Sequence, residues 1–136
     1  MNDAQRKVVT KQIIRSAYHL LDACELCPRA CNINRLNDEK GFCGTGAKAV
    51  VSSAGPHYGE GSVLVGSGGS GTIFFAGCNL GRVFCQNYDI SQLRHGNKVE
   101  IDDIVNLMMQ LQARECVNIN FVTPTHVIPH IIESVF

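Results

Sequence analysis

Hydrophobic residues recur along this chain with a helical period in three places. From Gln5 to Ala23 the apolar residues come at spacings of three and four, which predicts an amphipathic helix. A second helix is predicted from Val99 to Cys116 by the same spacing, and Asp102 and Asp103 suit its N-terminal turn. A further helix is expected to begin at Ile128 and to continue to Phe136. The chain is therefore predicted to contain at least three helices.

Strands are predicted between and before these last two helices. Residues Thr72–Ala76 are β-branched, aromatic or small, and Asn118–Val122 forms a similar run before a turn. Ala49–Ser53 and Ser62–Val65 are two further short β-like runs. The order strand, helix, strand, helix from Thr72 onward is typical of a parallel barrel or an open α/β sheet, so the predicted fold class is α/β.

The glycine-rich segment Gly66–Gly71 matches the pattern G-x-G-x-x-G after one of these runs. A dinucleotide-binding fingerprint opens a helix whose N-terminus faces the pyrophosphate. Here the next residues have strand propensity, so the dinucleotide interpretation is not favoured.

Composition and charge narrow the function classes. The chain has 136 residues, 45% of them apolar, which is enough for one globular core. Lys plus Arg and Asp plus Glu are twelve each, so no basic footprint for nucleic acid is present. The polar N-terminus and the lack of any long apolar run predict no membrane span and a cytoplasmic location.

Four of the seven cysteines lie close together near the N-terminus with the spacing C-x2-C-x3-C-x11-C: Cys24, Cys27, Cys31 and Cys43. In a reducing compartment such a set predicts metal binding before disulfides. Four thiolates satisfy either a structural Zn²⁺ or an iron–sulfur cluster, and the spacing does not choose between them. The alternative is a set of buried free thiols, for which the polar, loop-like residues 24–48 offer little core.

A second cysteine loop, from Cys78 to Cys85, has the frame C-x3-C-x2-C of a [4Fe–4S] ligand loop, in which three thiolates leave one iron open. The middle position is Arg82. A guanidinium is cationic and has no free lone pair, so it cannot replace a thiolate on iron. Two cysteines alone are expected to hold a cluster poorly.

The residues around this loop resemble the radical S-adenosylmethionine superfamily, in particular uncharacterised iron–sulfur proteins related to the pyruvate formate-lyase activating enzyme. The resemblance covers nearly the whole chain. It is carried by 71–91 around the loop and by the segments Cys24–Cys31, Gly41–Gly44, Gly55–Glu60 and Asn118–His126.

The resemblance implies a fold, cofactors and site residues. It places Phe84 beside the adenine of S-adenosylmethionine, and Thr123, Pro124 and Thr125 where relatives have a Gly-Gly-Glu segment that meets its amino group. Cys78 and Cys85 would bind the [4Fe–4S] cluster, whose electron cleaves S-adenosylmethionine to methionine and a 5′-deoxyadenosyl radical. From the residues alone, a turn with a capping threonine before a helix is the favoured interpretation of Thr123–His126.

The resemblance also selects a partial (βα) barrel, of which this chain would contain the first two βα units. The predicted organisation is therefore an N-terminal helix and metal-binding segment over residues 1–48, followed by a truncated core over 49–136. Cys116 precedes the second strand, about 16 Å from the cysteine loop at roughly 3.3 Å per residue, and is expected to be an inert thiol. His126 and His130, four residues apart, show no usable motif.

Three hypotheses from different classes follow. The favoured one is a truncated radical S-adenosylmethionine oxidoreductase impaired by Arg82. The second is an active enzyme completed by another chain. Its possible protein partners are a substrate protein or that partner chain. The third is a metal-binding interaction module that uses the N-terminal cysteines. Two parallel strands with open edges also predict self-association.

Overall fold

The computed structural model describes residues 3–136 and begins with helix α1, Asp3–His19. The predicted helix over Gln5–Ala23 is therefore confirmed, although it ends earlier than expected. Helix α1 packs against the last helix of the chain and buries Ala17. Its apolar stripe is otherwise only partly covered, since Val8, Val9 and Ile13 remain exposed.

Residues 24–48 form a long connection with little regular structure, as the sequence predicted. Its one regular element is a short 3₁₀ turn, Arg35–Asn37. The Asn34 side chain caps this turn by accepting a hydrogen bond from the Asn37 backbone N–H. Asp38 ends the turn in the left-handed region at φ 60°, a conformation that Asp tolerates better than most residues.

The remaining residues build a four-stranded mixed sheet with helices, a mixed α/β fold. The strands are β1 (Ala49–His57), β2 (Ser70–Phe75), β3 (Asn97–Val99) and β4 (Ile119–Val122), in the spatial order β3-β1-β2-β4. The helices are α2 (Ser62–Val65), α3 (Tyr88–Ser91), α4 (Ile101–Ala113) and α5 (Ile128–Val135), with a second 3₁₀ turn at Thr125–Val127.

The predicted parallel pair is present: β2 and β4 run parallel with Gly71 opposite Ile119 and Phe74 opposite Val122. The chain between them contains α3, β3 and α4, and α4 packs on β1 and β2 to complete the crossover that parallel strands require. Their carboxyl ends, followed by Cys78 and by Thr123, therefore lie at one edge of the sheet. The Cys78–Cys85 loop and Thr123–Thr125 therefore both follow the carboxyl end of a strand at this edge.

Two expectations about the sheet are wrong. Ser62–Val65 is helix α2 rather than a strand, because a four-residue run with three apolar residues is too short for a period that would distinguish the two structures. The parallel pair is also not isolated, since β2 lies in the sheet interior with antiparallel β1 on its other side. β1 is longer than predicted, and it pairs with the short β3, which the sequence did not reveal.

The core lies between one face of the sheet and helices α4 and α5. Ile73 and Phe75 of β2 are buried there with Ile104 and Leu111 of α4. The opposite face of β2 and β4 forms a groove of about 590 Å³, lined by Thr72, Phe74, Asn120 and Val122 of the strands and by His57, Glu60, Gln86 and Asn87. Side chains on the two faces of β2 thus differ: Ile73 and Phe75 enter the core, whereas Thr72 and Phe74 line a groove of mixed polar and apolar character.

The glycine-rich segment Gly66–Gly71 leads into β2 rather than into a helix. A side chain at Gly68 would collide with the carbonyl of Glu115, so this glycine is required for close packing before β4. The segment therefore lacks the helix N-terminus that a dinucleotide site needs. Within residues 3–136, every helix is too short or too polar to cross a bilayer.

Candidate metal centre

The four N-terminal cysteines line a single pocket. Its other lining residues are Leu26, Arg29, Ile33, Arg35, Gly41, Phe42 and His126. The free volume is about 10 Å³, which is room for about one water-sized sphere. All four cysteines are free thiols, and Cys24 and Cys43 are buried. The structure therefore brings together the four residues that the spacing singled out.

Backbone hydrogen bonds close the chain around this pocket. The N–H of Cys24 donates to the carbonyl of Ile33 at 2.9 Å, and the N–H of Asn32 donates to the carbonyl of Cys24 at 3.1 Å. Ala30 and Asn32 adopt positive φ angles of 40° and 53°, which turn the chain back between these bonds. The segment that contains Cys27 and Cys31 is thereby closed into a loop on Cys24.

Gly41 fits against Cys31 because it has no side chain. An added Cβ would lie 2.8 Å from the Cys31 Sγ, closer than real Cβ atoms approach a neighbour. The glycine two residues before Cys43 therefore lets the two cysteine-bearing stretches meet.

Arg35 is a buried cation at the edge of the pocket, with only 1% of its surface exposed. Its Nε donates to the carbonyl of Gly46 at 3.2 Å, and its Nη1 donates to the carbonyl of His126 at 2.7 Å. The same Nη1 lies 3.8 Å from the Cys24 Sγ. Within residues 3–136, Nη2 has no hydrogen-bond partner, and Arg35 forms no ion pair with a carboxylate.

His126 also lines the pocket, although the sequence analysis found no role for it. It is 1% exposed, and its Nε2 lies 3.0 Å from the carbonyl oxygen of Ala76, at the end of β2. Burial, with smaller contributions from Arg35 and His130, lowers the pKa of His126 to about 4. The imidazole is therefore neutral at physiological pH. Sequence spacing held no signal for it, because the contact between Arg35 and His126 joins residues 91 positions apart.

The thiols share the pocket without forming a ready coordination site. In the described residues 3–136, no group of three or more His, Cys, Asp or Glu side chains is arranged to hold a metal ion. Cys24, Cys27, Cys31 and Cys43 are neighbours through the pocket rather than ligands at bonding geometry.

The second cysteine loop, Cys78–Cys85, packs directly against this pocket. The guanidinium of Arg29 donates from Nε to the carbonyl of Asn79 and from Nη2 to the carbonyl of Leu80, both at 2.9 Å. It also stacks over the Phe42 ring with its Cζ 3.7 Å from the ring centroid. Arg29 thus ties the loop to the four-cysteine segment, a contact that the sequence analysis did not predict.

Within the loop, the two cysteines accept hydrogen bonds from different donors. The Leu80 N–H points to the Cys78 Sγ at 3.4 Å, and the Ser91 hydroxyl donates to the Cys85 Sγ at 3.3 Å. The Ser91 hydroxyl, then the Asn87 N–H, then the Arg82 charge lower the pKa of the Cys85 thiol. Arg82 therefore lies close enough to Cys85 to stabilise its thiolate.

The residues assigned to S-adenosylmethionine by resemblance lie at the carboxyl edge of β2 and β4. Phe84 is 95% exposed and contacts little of the protein. Thr123 directly follows β4 with φ 60°, a strained conformation for a β-branched residue, and Pro124 and Thr125 continue into the 3₁₀ turn. The Cys116 Sγ lies 3.5 Å from the carbonyl oxygen of Gly68, at the opposite end of the strands from Cys78, as expected.

Comparison with known proteins gives one informative match. The chain is 42% identical over 80 residues to an uncharacterized protein of Methanocaldococcus jannaschii. The match covers 59% of this chain and 22% of that protein, so the chain spans well under half of the relative's length. No protein-family model matches the chain, and no solved structure matches it.

Proposed function

We propose that this chain is part of a radical S-adenosylmethionine iron–sulfur protein related to the pyruvate formate-lyase activating enzyme. In this proposal Cys24, Cys27, Cys31 and Cys43 bind a metal centre. The observation that carries it is the convergence of these four thiols on one pocket beside the buried Arg35.

The charge of Arg35 supports an anionic occupant for the pocket. A buried guanidinium without a counter-ion costs several kcal/mol, roughly, even after the surrounding protein relaxes. Thiolates around a divalent ion carry a net negative charge, and they would place that charge beside Nη1 and the unpartnered Nη2. Arg35 thus fits a metal–thiolate centre better than it fits four neutral thiols.

The donor set limits the metal to a thiophilic one. Sulfur ligands suit Zn²⁺ and iron–sulfur clusters, whereas Mg²⁺ and Ca²⁺ need oxygen. A free volume of about 10 Å³ accepts a single ion, and a four-iron cluster would require the pocket to expand. We propose that the thiol side chains close around the metal as it binds, which would couple metal binding to the folding of residues 24–48.

The radical chemistry of the proposal belongs to the Cys78–Cys85 loop. β2, α4, β4 and α5 would be the first two βα units of a partial barrel, with the loop and Thr123–Thr125 at its carboxyl edge, where such folds place active sites. A [4Fe–4S] cluster there would supply one electron to S-adenosylmethionine. Arg82 contributes no ligand to it, so we propose that the loop is impaired in this chain.

The groove beside the loop supports a place for a small molecule. It is open, about 590 Å³ in volume, and lined by polar groups of β4 and of the residues that follow Cys85. Phe84 and Thr123–Thr125 would contact S-adenosylmethionine from this edge. Cys78 and Cys85 would be the two remaining cluster ligands.

One alternative is a metal-binding interaction module without radical chemistry. It is favoured because the pocket contains all four thiols of its set, whereas the Cys78–Cys85 loop lacks one of its three cluster ligands. The enzyme completed by another chain, acting on a protein substrate, also remains a proposal. Under every one of these alternatives the four-cysteine pocket binds metal.

Metal and acid-labile sulfide analysis of the anaerobically purified protein tests the proposal and separates its versions. Iron with sulfide would support the radical S-adenosylmethionine version. Zinc without sulfide would support the interaction module. Protein that contains neither metal, and that takes up neither on anaerobic reconstitution, would contradict all of them.

A further inference from the structure

Two buried histidines of the C-terminal region make the same backbone contact, but only one of them lines the cysteine pocket. The Nε2 of His126 lies 3.0 Å from the carbonyl of Ala76, and the Nε2 of His130 lies 2.8 Å from the carbonyl of Ala47. Both residues are at least 97% buried. Of the two, only His126 is among the described residues that line the pocket.

The contact to Ala76 fixes which nitrogen of His126 carries the proton. A carbonyl oxygen only accepts hydrogen bonds, so the proton lies on Nε2, and Nδ1 presents its lone pair. Within residues 3–136 neither this Nδ1 nor that of His130 has a hydrogen-bond partner, and it is the place of His126 in the pocket lining that distinguishes the two. A buried acceptor left unpaired costs about 1–3 kcal/mol, so its position needs a compensating interaction.

Protonation of His126 at Nδ1 would not remove the cost of the unpaired nitrogen. The guanidinium of Arg35 donates to the carbonyl of His126 itself, and it brings a fixed positive charge next to the ring. An imidazolium beside a buried arginine would add like charge in the same pocket. The group that Nδ1 lacks is therefore a Lewis acid or a donor, and the pocket beside it holds the four thiols.

We propose that His126 is a metal ligand, through Nδ1, in the four-cysteine pocket. This inference rests on the proposed metal site. The bond from Nε2–H to Ala76 is then the outer contact that orients a ligating histidine, as metal-bound histidines generally have. A four-coordinate ion would take His126 with three of the cysteines, which leaves one thiol as a spare donor.

The charge at the site agrees with this set. Three thiolates and a neutral imidazole around a divalent ion carry one negative charge, which the buried guanidinium of Arg35 balances. Arg29, the other arginine of the pocket lining, lies at an exposed position and donates to the Cys78–Cys85 loop. Four thiolates around the same ion would carry two negative charges. A metal bond to His126 would also account for the contact between the turn after β4 and the N-terminal segment. The pocket would then connect residues 24–43 to the sheet at Ala76.

Co²⁺ titration of the anaerobic, metal-free protein tests the ligand, with His126→Gln compared with His130→Gln. Glutamine keeps a donor for the backbone carbonyl in each case and removes the Nδ1 lone pair. We expect His126→Gln to weaken Co²⁺ binding at least tenfold and to shift its visible ligand-field bands, because the ligand set changes. His130→Gln should leave both the affinity and the bands as in wild type.

Wild-type protein labelled with ¹⁵N-histidine and loaded with ¹¹³Cd²⁺ gives a second measurement that needs no variant. Scalar coupling between the metal and one histidine Nδ1 is expected. If His126→Gln binds Co²⁺ with wild-type affinity and with the same thiolate-to-Co²⁺ charge-transfer and ligand-field bands, His126 is not a ligand. Cadmium binding without the coupling to a histidine Nδ1 would show the same. Either result would leave the proposed cysteine site intact. Wild-type protein that binds neither ion would overturn both.

Discussion

Arg82 shows how much a single residue decides in this chain. Its position in the ligand frame was evident from the sequence, because the spacing of Cys78 and Cys85 left one place empty of sulfur. Its contact with Cys85 was not evident, and neither was the Ser91 hydroxyl that donates to the same thiol. Spacing identifies ligand types, whereas hydrogen bonds across a loop depend on how the loop folds.

Arg82→Cys is expected to restore the third ligand of the Cys78–Cys85 loop. The variant should show a higher content of [4Fe–4S] cluster at the loop after anaerobic reconstitution, measured by electron paramagnetic resonance after reduction. Val83→Cys, which adds a thiol at the neighbouring exposed position, serves as the control and should show no gain. A wild-type cluster signal that already shifts on addition of S-adenosylmethionine would contradict this account.

At the scale of elements, hydrophobic periodicity predicted the helices and strands whose formation depends on local sequence. Helices α1, α4 and α5 and strands β2 and β4 were all predicted, because each carries an uninterrupted apolar pattern. Strand β3, three residues long, and helix α2 were missed, because so few residues contain no full period. The pocket itself was predicted only in part: four cysteines had a spacing signal, whereas Arg35 and His126 arrive from long-range packing.

The turn and helix that carry His126 and His130 predict a pH-dependent stability. Burial lowers the pKa of both histidines, that of His126 to about 4. The unfolded chain, with a histidine pKa of about 6.5, binds more protons below that pH. The contribution of these histidines to the free energy of unfolding should therefore be fully present above pH 6.5 and decrease as the pH falls toward 4. For His126 alone the loss amounts to about 3 kcal/mol.

Urea unfolding of the metal-free protein between pH 7 and pH 4.5 measures this dependence. His126→Gln should make the curve shallower in that window, since it removes one of the two buried histidines whose pKa is lowered and leaves His130. Glu25→Gln, a change at an exposed position, is the control and should keep the wild-type slope. An equally steep loss of stability in His126→Gln would show that other groups cause it.

At the scale of the whole molecule, the sheet and the first helix leave apolar and backbone surface open. Within residues 3–136, β4 pairs with β2 on one side only, and the exposed stripe of α1 includes Val8, Val9 and Ile13. The prediction of self-association therefore keeps a physical basis. It applies to the β4 edge, since β2 is paired on both sides.

We expect the chain at micromolar concentration to form species larger than 14.8 kDa by light scattering. An added strand would bond to the backbone groups of β4 that face away from β2, which in this parallel register are those of Ile119 and Phe121. Ile119→Pro, which removes one outward N–H donor at the first residue of the strand, should therefore weaken the association. A sharp monomer with slow amide exchange throughout β4 would refute the prediction.

The central claim is that the N-terminal pocket binds metal independently of the Cys78–Cys85 loop. It predicts different effects for two matched pairs of substitutions, each of which removes two cysteines. Cys27→Ser with Cys31→Ser removes two thiols from the pocket. Cys78→Ser with Cys85→Ser removes both thiols from the loop and leaves the pocket whole.

The deciding measurement is the metal bound per chain at the pocket, determined on the wild type and both double variants after identical anaerobic reconstitution and desalting. The account predicts that the loop variant keeps the pocket metal and that the pocket variant loses it, together with the protease resistance of residues 24–48. Equal metal content and equal protease resistance in the wild type and the pocket variant would contradict the account.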